Sequence, residues 1–223
     1  MPIKNLILIP TAFESSQIAS QLDHLSETKR FVLRHCGFGP IAAAAVATEA
    51  INVHKPKRVI LLGIAGAYQS AETLVKDLTV GNAYRFSSVS VDGIGVGTGE
   101  QFQSARELGW AQFSGDDRRA AINDKIELAS DSPHSLLTVC AASAKPEEAQ
   151  CRQIRYGASA EDMEGFAVAM ACQLQDVSLE IIRGISNVAG DRDKLNWRID
   201  DALSAAAEVL GIVLDQQVSG DQA

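Results

Sequence analysis

The sequence predicts an α/β protein with a largely parallel, helix-covered sheet, on three observations. Short apolar, β-branched runs alternate with helical runs along the 223 residues, the order that lays helices on the faces of a parallel sheet. The strand-like runs are nearly continuously apolar, as strands buried on both faces are. No Pro-, Gly- or Ser-rich linker and no internal repeat interrupts the order, so residues 1–223 read as one domain, the last few as a flexible tail.

In chain order, Leu6 to Ile9 is the first strand. The N-terminal run resembles a signal peptide, but its apolar core of about four residues falls short of the roughly seven to fifteen that a leader needs. Ser15 to Leu25 follows as a helix, Phe31 to Cys36 as a strand, and Pro40 to His54 as an Ala-rich helix. Val59 to Ile64 is the next strand. The stretch from Ser87 to Asp117, with Gly93, Gly95, Gly97, Gly99 and Gly109, has neither period and is expected to be a strand end plus a long mobile loop. Leu136 to Cys140 is a strand and Pro146 to Ile154 a helix. Glu164 to Leu174 is a helix whose Phe166, Met170 and Leu174 recur every four residues as a core-facing stripe. Leu179 to Ile185 is a strand and Asp200 to Gln216 the last helix.

Hydrophobic content is 46% and charged content 22%, ordinary for a soluble globule. A net charge of -8 disfavours a nucleic-acid backbone as partner. No apolar run reaches the roughly 18 residues of a membrane span. Cys36, Cys140, Cys151 and Cys172 show neither metal-ligand spacing nor a disulfide-rich context. They are expected to be reduced, and the chain cytoplasmic. His24, His35, His54 and His134 share no motif and read as structural or surface residues.

Several segments carry chemistry or imitate it. Gly37-Phe38-Gly39-Pro40-Ile41-Ala42 fits the Gly-x-Gly-x-x-Ala dinucleotide fingerprint formally. The acid that should follow about twenty residues on, to hold a ribose hydroxyl, is replaced by Lys55, Lys57 and Arg58, so a tight strand-to-helix turn is the better reading. Leu61-Leu62-Gly63-Ile64-Ala65-Gly66 ends a strand in glycines, which allow a ligand close to the backbone or simply make a turn. Glu14, the only carboxylate between Met1 and Leu22, sits after the first strand, where the helix dipole alone would favour an acid. Glu161-Asp162-Met163-Glu164-Gly165 opens the fourth helix, and Arg183-Gly184-Ile185-Ser186-Asn187 ends the strand after it. In a parallel sheet both sets can meet in one crevice at the carboxyl ends of the strands. Glu164 as a plain helix cap and Arg183 as a buried partner of an acid in the 161–164 turn are the structural alternatives.

Met163-Glu164 together with Arg183 to Asn187 resembles the active-site block of the nucleoside phosphorylase and nucleosidase superfamily. Gly190-Asp191-Arg192-Asp193 followed by Trp197 is similar to the futalosine hydrolases within it. The resemblance runs from Leu6 to about Leu210, weakest between Ser87 and His134, and implies a three-layer α/β/α sandwich around a mixed, largely parallel sheet, usually homo-oligomeric. It implies that Met163 packs on sugar and base, and that Glu164 accepts from ribose hydroxyls, for which two carboxylate oxygens suit vicinal donors. Ala65, Gly66 and Ser186 join the substrate-binding set, and Glu14, helped by Arg183, orients and deprotonates a water. Glu161 and Asp162 read as secondary. Asn82 stands where the family has Asp, so no role carries onto it.

Departures from the family pattern sharpen the reading. Phosphorylases carry Arg-x-Gly-Ser-x-Gly where this chain has Leu61 and Ile64, which would leave phosphate charge unpaired. Water is therefore the expected nucleophile. Adenine-directed nucleosidases have Asp where this chain has Asn187. An amide offers donors and an acceptor but no proton, which suits a 6-oxopurine. The resemblance thus implies hydrolysis of futalosine, an inosine-like nucleoside with an aromatic carboxylate tail, to hypoxanthine and a dehypoxanthinyl product in the alternative menaquinone pathway. Arg192 or Lys194, with Trp197, is a candidate for meeting that tail. No metal or organic cofactor is implied. An adenine-directed nucleosidase, a phosphorolytic enzyme and a non-catalytic purine-binding module remain open.

Overall fold

The structure, a computed structural model, describes residues 4–28, 31–69 and 78–216; the expected C-terminal tail lies outside them. In chain order the elements are β1 (Asn5–Ile9), α1 (Ala12–Gln17), α2 (Ala19–Thr28), β2 (Phe31–His35), α3 (Pro40–His54), β3 (Arg58–Ala67), β4 (Ala83–Arg85), β5 (Ser88–Val91), β6 (Gly95–Val96), β7 (Gln103–Ser104), β8 (Lys125–Glu127), β9 (Ser135–Thr138), α4 (Pro146–Tyr156), β10 (Ala160–Asp162), α5 (Gly165–Leu174), β11 (Ser178–Val188) and α6 (Ile199–Gln216). Each strand and helix read from the sequence is present, but the expected Ser15–Leu25 helix is two. Thr11 caps α1 and the chain leaves helical dihedrals at buried Ile18 before α2 begins.

Among the described residues, nine strands form one sheet in the order β2-β1-β3-β10-β9-β5-β8, with β11 beside β3 and β4 beside β11. Pairs β1–β2, β1–β3, β11–β3, β10–β9 and β5–β9 are parallel, whereas β10–β3, β11–β4 and β5–β8 are antiparallel. Period-2 alternation sorts the strand residues into two layers. Leu6, Leu8, Val59, Leu61, Ile181 and Ile185 pack with Ala43, Ala47, Phe166 and Val168 of α3 and α5. Ile7, Ile9, Ile60, Leu62 and Ile182 pack with Ile18, Leu203, Leu210 and Leu214 beneath α2 and α6. Burial on both faces explains why these strands read as apolar runs. The α5 helix is buried at Phe166, Ala167, Val168, Ala169, Ala171 and Cys172; the Phe166–Leu174 stripe marks part of a helix enclosed on most sides.

One irregularity positions the site. The β11 strand pairs along the whole length of β3, to Ala67. The opposite edge of β3 is shared: β1 pairs up to Leu61, and β10 starts at Gly66. Between those residues the edge is open. The expected loop after Ser87 is partly ordered instead: β5 joins the main sheet, and Gly95–Val96 pairs with Gln103–Ser104 in a separate hairpin. A Cβ on Gly95 would lie only 2.0 Å from the Gln103 carbonyl oxygen, so this glycine serves strand approach rather than a loop.

The α6 helix lies against β11 by the same device. A Cβ on Gly184 would sit 2.0 Å from the carbonyl oxygen of Ala202, a backbone atom that cannot rotate away. Gly184→Ala should therefore lower unfolding free energy by about 1–3 kcal/mol, the usual range for overpacking, read from urea midpoints at constant m-value. A midpoint equal to wild type would show that α6 shifts without cost.

Candidate active site

The open edge of β3 is lined by acids. Glu14 is the third residue of α1, in a capping box with Thr11: its Oε2 accepts from the Thr11 N–H at 3.0 Å and the Thr11 hydroxyl at 2.6 Å. Its Oε1 accepts from the Ile64 N–H at 3.2 Å, a strand donor in the stretch that neither β1 nor β10 pairs. Far from being a surface residue, Glu14 is 5% exposed.

Arg183 of β11 lies opposite Gly63 of β3, and its guanidinium runs over that glycine. A Cβ at residue 63 would lie 2.3 Å from Arg183 Nη1 and 2.9 Å from Glu14 Oε1. Arg183 is wholly buried. Its Nε donates to Asp162 Oδ2 at 3.0 Å and its Nη2 to the same oxygen at 2.5 Å, with a weaker bond from Nη2 to Glu164 Oε2 at 3.2 Å. Its Nη1 alone has no hydrogen-bond partner among the described residues.

Glu164 precedes α5, but it does not cap it. Asp162 does, accepting from the Gly165 N–H at 2.9 Å. Glu164 is left to turn elsewhere, and its Oε1 accepts from the Gly39 N–H at 3.0 Å. The turn at Gly37 and Gly39, both at positive φ, thus supplies a donor to the site. Burial pushes the Glu164 carboxyl up to about 7; Arg183 and the Gly39 N–H oppose the shift, and Asp162 and Glu14 add to it.

Glu14, Asp162 and Glu164 border a cavity of about 300 Å³, at the small end of the range for ligand pockets. Glu14, Ile64, Ala65, Gly66, Met163, Glu164, Ser186, Asn187, Arg192 and Trp197 all line it, and Leu61 and Arg183 do not. Leu61 is in the core. Arg183 was expected beside the water or the sugar hydroxyls; it sits instead behind Glu164, because the acids of the 162–164 turn cover its guanidinium. Lys194 is also absent from the lining, while Arg192 stacks over the Trp197 ring at 5.1 Å.

Asn187 and Glu161 lie on opposite sides of Gly66, on β11 and β10. The register of β11 shifts between Ile185 and Asn187, a bulge of the kind that re-aims side chains beside active sites. Asn187 Nδ2 donates to the Val188 carbonyl at 2.8 Å, and the Ser186 hydroxyl lies 2.8 Å from Asn187 Oδ1. Because only an NH2 group can face a carbonyl, the amide orientation is set, and one N–H and one oxygen lone pair are left over. Glu161 accepts from the Ser143 N–H, the Ser143 hydroxyl and the Tyr68 hydroxyl. It secures the 139–143 wall and does not share the Arg183 cluster.

The alternative reading of Arg183 as a buried partner of an acid in the 161–164 turn is what the structure shows, with Asp162 as that acid; the Gly39 N–H and the close approach over Gly63 escaped sequence reasoning. The Gly-x-Gly turn after β2 was the available signal for Gly39. Glu161 and Asp162 are adjacent acids whose opposite faces become apparent only once β10 is known to be a strand.

The phosphorylase superfamily model matches residues 21–219, so the chain belongs to that superfamily. Over 84% of its length it is 32% identical to futalosine hydrolase of Thermus thermophilus, covering 82% of that protein. It is 26% identical, over 86% of its length and 81% of the relative, to a 5'-methylthioadenosine/S-adenosylhomocysteine nucleosidase of Psychromonas ingrahamii. Among solved structures, futalosine hydrolase of Helicobacter pylori superposes with a TM-score of 0.74 over 97% of this chain and 99% of that one, at 16% identity. At that identity the likeness is one of fold.

A carboxyl raised above its unfolded value favours the folded state while protonated, and that contribution is lost as pH rises through about 7. Glu164→Gln, always neutral, should therefore gain stability relative to wild type between about pH 5 and about pH 8. Urea midpoints of both proteins check this; a difference that stays constant or moves the other way refutes the raised carboxyl.

Proposed function

We propose that the chain is a purine nucleosidase that hydrolyses the N-glycosidic bond of futalosine and releases hypoxanthine, as a step of menaquinone synthesis in the cytoplasm. The observation that carries this reading is the Asn187 amide, with one N–H and one lone pair left over at the cavity wall. A 6-oxopurine presents acceptors at N7 and O6 and a donor at N1, which an amide meets without transferring a proton. The identity to futalosine hydrolase supports the same base.

In the proposed reaction the glycosidic bond breaks ahead of water attack. Asn187 stabilises charge growing on the purine, Met163 packs against sugar and base, and Glu164 accepts from the ribose hydroxyls. Glu14 orients the water and takes its proton. Preorganised polar groups supply the largest share of such catalysis. Arg183 supports these carboxylates from behind. At the mouth, the Arg192–Trp197 pair offers a cation and an aromatic face to a carboxylate-bearing aromatic tail.

Phosphate is disfavoured as nucleophile because Arg192, at the mouth, is the only cation among the described lining residues, and Ile64 occupies the inner wall. An adenine-directed nucleosidase is the second reading, favoured by the Psychromonas relative and opposed by Asn187. Exposed Phe13 and Phe38, both lining the cavity, fit an assembly in which a second copy covers them.

Asn187→Asp supplies a proton donor to a ring nitrogen and should shift preference toward 6-amino nucleosides by at least ~10-fold, since mismatched buried polar groups discriminate strongly. The measurement is kcat/KM for futalosine against its 6-amino analogue in both proteins. An unmoved ratio, or a wild-type preference for the amino compound, removes the base assignment. Glu14→Gln keeps shape and removes the base, so kcat should fall by about 100- to 10,000-fold with substrate still bound. Near-normal turnover would place the base elsewhere.

A further inference from the structure

Asp162 borders the cavity with its carboxylate fully buried, and its bonds distinguish it from the other acids. Thr138 of β9 is fully buried and donates its hydroxyl to Asp162 Oδ1 at 2.7 Å, while the same oxygen of Thr138 accepts from the Phe166 N–H at 2.7 Å. Asp162 Oδ2 accepts from the Gly165 N–H and from two donors of Arg183. Every hydrogen bond that the Asp162 carboxylate accepts comes from a buried residue. Glu164, by contrast, receives one longer bond from Arg183 and one from Gly39. Three strands therefore hand one charge pair across the sheet: Thr138 on β9, Asp162 on β10, Arg183 on β11.

The charge balance makes this arrangement consequential. Among the described residues, Arg183 is the single cation facing Glu14 from α1, Asp162 from β10 and Glu164 at the head of α5, with the Cys36 thiol, itself pushed up to about 12 by burial, after β2. One cation cannot fully compensate three buried carboxylates, because an uncompensated buried charge costs several kcal/mol. Burial holds one of them, Glu164, above the usual carboxylate range.

We propose that Asp162 is a positioning residue: anchored by Thr138 and the Gly165 N–H, it is the permanent counterion of Arg183, and so leaves Glu164 as the acid whose charge is free to respond to ribose. The inference rests on the proposed role of Glu164. Asp162 fixes the guanidinium, keeps Nη1 directed at the Gly63–Glu14 side, and prevents Glu164 from being consumed as a structural ion-pair partner. An ionised, incompletely paired Glu164 is the form that accepts two vicinal hydroxyls.

The test uses Asp162→Asn in the full chain, with two readouts. By ¹³C-carboxyl NMR of glutamate-labelled protein, with Glu164→Gln identifying the resonance, the Glu164 midpoint should fall by at least about one pH unit when the neighbouring negative charge is removed. With futalosine, the acidic limb of the kcat/KM profile should move down by the same amount, together with a lower plateau. A merely structural role would lower activity evenly at all pH values and leave the midpoint in place, and that result overturns the proposal. If wild type does not cleave futalosine, the functional reading fails while the substrate-free NMR titration still decides the role of Asp162. Should Asp162→Asn not fold, Thr138→Val and Thr138→Ser take its place. The Arg183 Nε–H should exchange with solvent at least ~10-fold faster in Val and return to the wild-type rate in Ser, which restores the hydroxyl. Equal exchange in Thr138→Val and wild type overturns the proposal.

Discussion

A fully buried arginine surrounded by carboxylates is the constraint on which the rest of this structure turns. Arg183 cannot reach water, and a buried guanidinium is tolerable only when paired and hydrogen-bonded. Its neighbours are arranged to that end. Residue 63 is glycine because a side chain there would occupy the space of Nη1. Asp162 is turned into the core and tied to Thr138. The open edge of β3 gives the adjacent Glu14 an N–H to accept from. The pocket is the outer surface of this cluster. Glu14 and Glu164 present their remaining lone pairs to the cavity while the cation stays behind them.

The sheet makes such a cluster possible. A plain parallel sheet would pair every N–H of β3 and leave no donor for a side chain. Here β1 stops at Leu61 and β10 enters antiparallel at Gly66, so one edge is shared by two strands running in opposite directions. The gap between them admits a carboxylate from α1. On the other edge, the bulge at Ser186 rotates Asn187 into the cavity. Two local departures from ideal pairing therefore place the two polar ends of the site, Glu14 at one and Asn187 at the other.

Much of this was legible in the sequence, for reasons that differ by element. Leu6 to Ile9, Val59 to Ile64 and Leu179 to Ile185 were readable because strands buried on both faces must be apolar throughout. Met163-Glu164 and Ser186-Asn187 were readable because they resemble a block whose residue types the chemistry requires. Ala160-Glu161-Asp162 was not. Two adjacent acids look like a polar turn, and only tertiary burial makes them a strand with Tyr68 and Ser143 on one face and Arg183 on the other. The contact between Gly39 and Glu164 spans 125 residues, beyond any local pattern. Arg183 was recognised as part of the site but expected at the cavity wall, because a motif carries residue identity and not depth. The hairpin at Gly95 was missed because its strands are two residues long, too short for any period.

The central claim is that this site directs water, not phosphate, at the sugar of a 6-oxopurine nucleoside. Its most direct measurement is hypoxanthine release from futalosine by the purified chain in phosphate-free buffer, repeated with added phosphate. The account predicts release without phosphate, at a rate that phosphate does not raise, and no sugar 1-phosphate among the products. Release only on adding phosphate, with a sugar 1-phosphate formed, would contradict it.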